Sequence, residues 1–176
     1  MAKKILVVID MQNDFTYGAL KNQDAIDVIP LIEKKLSSYD GEVYFTMDTH
    51  GDDYMNTQEG RKLPVPHCIK GTEGWQIVDS LKKYCEDNNC KVYEKPTFGC
   101  VKLAEDIAAL YEKETLDEIE FVGVCTDICV ISNAMLVKAA VPELTVKIDA
   151  ACCAGVTKES HATALKAMAG CQMEIL

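Results

Sequence analysis

The sequence predicts a three-layer α/β domain, a parallel sheet with helices on both faces. Two observations carry that expectation. Short β-branched runs alternate with helical patterns from one end of the chain to the other, the rhythm of repeated β-α units. The 176 residues also suit one core, which at such a length removes roughly 70% of the unfolded surface from water. No internal repeat, low-complexity tract or linker divides residues 1–176, so a single domain is expected.

The strands are expected at "KILVVI" (4–9), "EVYFTM" (42–47), "KVYE" (91–94), "EIEFVGV" (118–124), "LTVKI" (144–148) and "QMEIL" (172–176). The first follows two lysines and could be mistaken for a signal peptide, but Asp10 ends its apolar run after Ile9. Between the strands lie helical stretches. Asp27 is the expected N-cap of the first, with Pro30 tolerated in its first turn and Ile29, Ile32 and Leu36 on one face. Residues 73–85, 100–113 and 126–140 form the next three. The last, 157–170, begins with a Thr-x-x-Ser run, a weaker start than a full capping box, and carries Ala164, Leu165 and Met168 as its apolar stripe. Residues 49–72 interrupt the alternation with a long polar connection, and connections of that length inside a domain are functional or disordered.

Composition narrows the function classes. The net charge of −10 excludes nucleic acid and anionic membrane as main partners, since phosphate contacts need a basic face. No apolar run reaches membrane-spanning length. The nine cysteines are odd in number and lie inside apolar segments, which fits a reduced, cytoplasmic protein with most thiols buried as small hydrophobes.

In a doubly wound sheet, ligands bind beyond the carboxyl ends of the strands. The residues expected there are Asp10, Asp48, His50, Lys95 and the segment Cys125–Cys129. Asp10 is either a loop cap or a general base whose carboxyl burial has perturbed. Lys95, before Pro96, is either a solvated lysine or a charge that stabilises a thiolate. Asp48, His50 and His67 are either loop residues or metal ligands, and two histidines with a carboxylate suit Zn²⁺, Fe²⁺ or Mn²⁺ with open positions. Asp14 reads as a loop cap, Phe15 as core or as a flat wall for a planar substrate, and His161 as structural. Cys129, in the first turn of a helix, is expected to have its thiol pKa lowered by the helix dipole, beside backbone N–H groups that can hold an oxyanion. Chemistry is therefore assigned to Cys129 and structure to Cys125.

Together, "VVIDMQNDF", "DTH…PVPHCIKGTEG", "EKPTFG" and "GVCTDICV" resemble the isochorismatase-like cysteine hydrolase superfamily, and within it the nicotinamidases. The likeness runs from residue 5 to about residue 170. It implies a Rossmann-like six-stranded sheet in the order 3-2-1-4-5-6. It implies a catalytic triad at Asp10, Lys95 and Cys129, with the backbone N–H groups of Cys125 and Cys129 as oxyanion hole. One divalent ion on Asp48, His50 and His67, a cis peptide at Val124–Cys125, and Phe15, Phe98 and Val124 beside the substrate are implied as well. The implied reaction is hydrolysis of nicotinamide to nicotinate and ammonia through a thioester on Cys129, in a homo-oligomer. Two departures concern the substrate: Pro64 stands where nicotinamidases place a tryptophan, and "PTFGC" follows the lysine in place of a Ser-Ala-Phe-like run. The rival readings are an amidase of the carbamoylsarcosine type, an isochorismatase, a silent binding domain, and a redox or zinc-storage protein.

Overall fold

The structure is a computed structural model that describes residues 3–113 and 116–176. Its centre is β1 (Lys4–Ile9), whose run of apolar residues is explained by burial on both faces. A short helical turn, α1 (Asn13–Thr16), and the longer α2 (Gln23–Ser38) lead to β2 (Glu42–Asp48). The connection that follows contains a 3₁₀ turn (Tyr54–Asn56) and α3 (Gln58–Lys62), so it is ordered rather than structureless. Then come α4 (Asp79–Asp87), β3 (Lys91–Lys95), α5 (Val101–Glu112), β4 (Glu118–Val124), a π turn (Thr126–Val130), α6 (Ile131–Ala140), β5 (Thr145–Ala154), α7 (Lys158–Gly170) and β6 (Glu174–Ile175).

The six strands are all parallel in the order β3-β2-β1-β4-β5-β6. Side chains of alternate parity divide the core into two layers. Leu6 and Val8 of β1 meet Val28, Ile29 and Ile32 of α2 and Leu81 of α4 on one face. Ile5, Val7 and Ile9 meet Leu103 and Ile107 of α5, Ala134 and Val137 of α6 and Met168 of α7 on the other.

Several local expectations change. Helix α2 starts at Gln23 because the Asn22 side chain accepts from Asp24 N at 2.9 Å, which makes Asn22 rather than Asp27 the N-cap and places Pro30 in the helix interior. Helix α4 starts at Asp79, not at residue 73, because the preceding segment bonds across to residues 11–14: Asp14 N donates to Gly74 O at 2.9 Å and Val78 N to Met11 O at 3.0 Å. Strand β5 extends to Ala154 and takes in Cys152 and Cys153. At α7 the capping box is complete, with Thr157 and Ser160 each bonding the other's backbone N–H. His161 has a structural partner, its Nδ1 lying 2.8 Å from Thr126 Oγ1.

Candidate active site

The sheet order places the carboxyl ends of β3, β2, β1 and β4 side by side, bringing Lys95, Asp48, Asp10 and Cys125 onto one rim. The chain reverses its direction of winding between β1 and β4, the position at which such sheets open a crevice. Asp48 and Lys95 are direct register partners. Past β4 the peptide Val124–Cys125 is cis. The amides of Ile128 and Val130 both donate to the Cys125 carbonyl, at 3.1 and 3.0 Å, so Cys129 sits on a wide π turn rather than in an ordinary first helical turn.

Asp10 leaves β1 at φ 48°, in the left-handed region that side-chain-bearing residues seldom occupy. Its backbone N–H donates to Thr46 O at 3.2 Å, and Thr46 Oγ1 donates to Asp10 Oδ1 at 2.6 Å. Asp10 Oδ2 lies 2.7 Å from Lys95 Nζ. The same ammonium is 3.5 Å from Cys129 Sγ and donates to Thr97 O at 3.1 Å. Asp10 and Lys95 are 0% and 1% exposed, so both charges depend on each other for their solvation.

These surroundings set the protonation states. Burial pushes the Asp10 carboxyl above its ordinary value, with Lys95 opposing and Asp48 reinforcing the rise. Burial opposes the charge on Lys95, but Asp10, Cys129 and Asp48 outweigh it and hold the lysine protonated. The Cys129 thiol is pushed well up by burial and by the negative charge of Asp10, with Lys95 opposing. Burial therefore outweighs the helix dipole expected to lower this thiol. At rest Cys129 is a protonated thiol beside a carboxylate that can accept its proton, not a preformed thiolate.

Asp48 connects this triad to a second cluster. Its Oδ1 lies 3.6 Å from Lys95 Nζ, while Oδ2 lies 3.0 Å from His50 Nε2 and 3.5 Å from His67 Nε2. Burial favours the neutral Asp48 carboxyl, but hydrogen bonds from the two histidines and the charge of Lys95 reverse that and hold it well below the usual carboxylate range. Glu59 Oε1 closes the group, at 3.8 Å from His50 Nε2 and 3.7 Å from His67 Nε2. One ligand atom from each of Asp48, His50, Glu59 and His67 falls within 4.8 Å of the others.

The donor set fits a divalent ion of the zinc, iron or manganese type. His67 Nδ1 faces Val65 O at 2.8 Å, a bond that orients the ring with Nε2 toward the cluster. Tyr54, 1% exposed, stacks edge-on against His50 and His67 with centroids 4.8 and 5.1 Å away, and its hydroxyl donates to Leu63 O. It supports the histidines from behind rather than facing a ligand.

Cys129 and the group of Asp48, His50, Glu59 and His67 face one cavity of about 940 Å³. Asp48, His50, Glu59, His67 and Cys129 line its inner part, with Phe15, Phe98 and Cys125 on its walls. Phe15 meets the His67 ring edge-on at 5.7 Å, and Phe98 is 46% exposed at the mouth. Asp10 and Lys95 lie behind Cys129, out of the cavity's lining. The Val124 side chain is fully buried in the core on the α2 face and lines no part of the cavity, so only its backbone is near the site. Asp14 holds loops, as its residue type suggests, accepting from Cys68 N at 2.7 Å and Ala19 N at 3.0 Å.

Glu59 was not legible from the sequence. It depends on α3 folding back over the histidines, where Thr57 caps Gly60 N at 3.0 Å and a Cβ on Gly60 would meet Tyr54 O at 2.1 Å. The one available signal was an acid next to a glycine, just after a capping threonine, between His50 and His67.

The profile of the isochorismatase domain family matches residues 4–176. An uncharacterized isochorismatase family protein of Bacillus subtilis is 29% identical over 174 residues, covering 93% of this chain and 92% of its own. The nicotinamidase of Saccharomyces cerevisiae is 28% identical over 192 residues, covering 83% of this chain and 86% of its own. The crystal structure of the pyrazinamidase/nicotinamidase of Streptococcus mutans superposes with a TM-score of 0.83 at 26% identity, over 99% of this chain and 100% of that one.

Proposed function

The chain belongs to the isochorismatase family, and from that premise we propose that it is a metal-dependent cysteine amidohydrolase converting nicotinamide to nicotinate and ammonia. The observation that carries the reading is the placement of Cys129 Sγ, 3.5 Å from the Lys95 Nζ that also pairs with Asp10 Oδ2 at 2.7 Å, in the same cavity as the four-residue metal group.

Asp10, raised by burial and unprotonated when it acts, takes the Sγ proton as Sγ attacks the carboxamide carbon. Lys95 stabilises the charge carried by Asp10 and the developing thiolate. The tetrahedral oxyanion is held by the backbone N–H groups of Cys125 and Cys129. Collapse breaks the C–N bond, and Asp10 returns its proton to the departing nitrogen, which leaves as ammonia. Asp10 then takes a proton from water as the hydroxide attacks the thioester carbonyl, the C–S bond breaks, Asp10 passes that proton to the departing sulfur to restore the Cys129 thiol, and the product acid ionises to nicotinate. Asp48, His50, Glu59 and His67 would hold a divalent ion, which when bound would supply Lewis-acid chemistry toward the substrate's ring nitrogen. Phe15 and Phe98 flank the ring.

Ammonia release from nicotinamide, measured before and after chelation, tests the reading. The expected result is turnover that is lost on chelation, restored by Zn²⁺, Fe²⁺ or Mn²⁺, and absent in Cys129→Ala. Hydrolysis that survives Cys129→Ala would overturn the mechanism.

One observation favours a second substrate. A cavity of about 940 Å³ lies at the upper end of the roughly 300–1,000 Å³ of sites for drug-sized ligands, far more than a single ring fills, and Pro64 stands where a tryptophan is expected. A longer amide fits that space. A panel running from nicotinamide to amides with extended acyl groups decides between the two by their kcat/KM values.

A further inference from the structure

We propose that Asn133 is a positioning residue that fixes the nucleophile's turn to the loop after β3, which carries Phe98. The inference rests on the reading of Cys129 as nucleophile. Asn133 lies in α6 and is 1% exposed. Its neighbours Val130, at the end of the π turn, and Ala134 and Val137, on the helix, belong to the apolar core, where an unpaired amide would be costly.

Every polar atom of the side chain is engaged, and the partners belong to two separate parts of the site. Nδ2 donates to Cys129 O at 2.8 Å and to Phe98 O at 3.1 Å, while Oδ1 accepts from Cys100 N at 2.9 Å. One planar group therefore joins the carbonyl of the nucleophile to the segment that follows β3. That segment is the one Lys95 Nζ grips through Thr97 O, and it carries the Phe98 side chain into the cavity.

A second feature shows that the loop is built to lie against α6. A Cβ on Gly99 would meet Leu136 Cδ1 at 2.5 Å and Ser132 O at 3.3 Å, so the loop lies in close contact with α6 at that residue. The Asn133 bond to Cys129 O sets where Sγ stands relative to Lys95. The bonds to Phe98 O and Cys100 N set where the cavity wall stands. The first acts on the chemical step and the second on substrate binding, which separates the residue from a purely structural amide.

Two variants separate these contributions. Asn133→Leu removes all three bonds. In Asn133→Thr the hydroxyl can still donate to the carbonyl four residues earlier, that of Cys129, but reaches neither loop partner. Three readouts are taken on the metal-loaded protein below its melting temperature: kcat and KM for nicotinamide, and the alkylation rate of Cys129 by iodoacetamide, followed by mass spectrometry of its peptide. For Asn133→Leu we expect kcat and the alkylation rate to fall about tenfold or more, with KM raised. For Asn133→Thr we expect the alkylation rate to stay within about twofold of the parent and KM to rise several-fold. A folded Asn133→Leu with parental kcat, KM and alkylation rate overturns the proposal, as does an Asn133→Thr that loses alkylation as fully as Asn133→Leu. If Asn133→Leu does not fold, Asn133→Thr alone decides, and a parental KM in it counts against the proposal. If the parent protein leaves nicotinamide unhydrolysed, the functional reading fails, and the alkylation rates still test the role of Asn133.

Discussion

Asp10 is held in a left-handed backbone conformation, 0% exposed, between an ammonium and a thiol. Two effects on its pKa oppose each other, and burial wins over the attraction of Lys95. The proposed mechanism requires the unprotonated carboxylate, so activity should be lost as pH falls through the raised value. The acidic limb of kcat/KM, measured at saturating metal, is therefore expected above the ordinary aspartate value of about 4. Lys95→Met removes the lowering charge, so it should move that limb further up and reduce kcat/KM; an unmoved limb would show that Asp10 does not set it. Asp10, Asp48, His50, Lys95, His67 and Cys129 were all legible as candidates because each stands at a strand end or in a motif. Glu59 and Asn133 were not, because their roles depend on a fold-back of α3 and on a loop that meets α6.

At the scale of elements, the central strands are joined by contacts that tolerate little change. Gly123 in β4 has φ 110°, and a Cβ there would meet Ile9 O at 2.2 Å and Ile9 N at 2.8 Å. The β4–β5 register shifts at that point, between Phe121 and Gly123. Gly123→Ala is expected to cost at least about 4 kcal/mol in denaturant melts, or to prevent folding, since neither backbone can yield. A different tie fastens α2 to the sheet. Lys35 Nζ lies 2.5 Å from Glu120 Oε1 and 2.7 Å from Asp149 Oδ2, with Glu120 only 7% exposed at its side chain. Lys35→Met leaves both carboxylates without a cation and should destabilise by about 3 kcal/mol at neutral pH. Burial raises the Asp149 carboxyl, but Lys35 outweighs it and holds the group below its ordinary value. Stability from that pairing is present above the unfolded pKa of about 3.9 and is lost as pH falls through the folded value. The difference between parent and variant should therefore narrow in acid, and a difference that stays constant with pH would exclude the pairing as its source.

At the scale of the whole molecule, the metal group couples residues from β2, α3 and the segment before His67, so a bound ion should stabilise the fold as well as serve the reaction. Zinc at about 100 times its Kd should add about 2.7 kcal/mol, a rise of roughly 5–10 °C in Tm. Glu59→Gln should lessen that rise without lowering the metal-free Tm by a comparable amount; an equal rise in both proteins would remove Glu59 from the ligand set. The sequence by itself determined the parallel α/β architecture and the rim that carries the site, because β-branched runs bounded by polar residues can be read one segment at a time. It also supplied Asp10, Lys95 and Cys129 as candidates for the chemistry, and three of the four residues of the metal-type group. Tertiary structure alone decided the sign of the Cys129 pKa shift, the place of Glu59 beside the two histidines and the hydrogen bonds that Asn133 makes. Each of those depends on burial or on contacts between distant segments, and neither is written in local spacing.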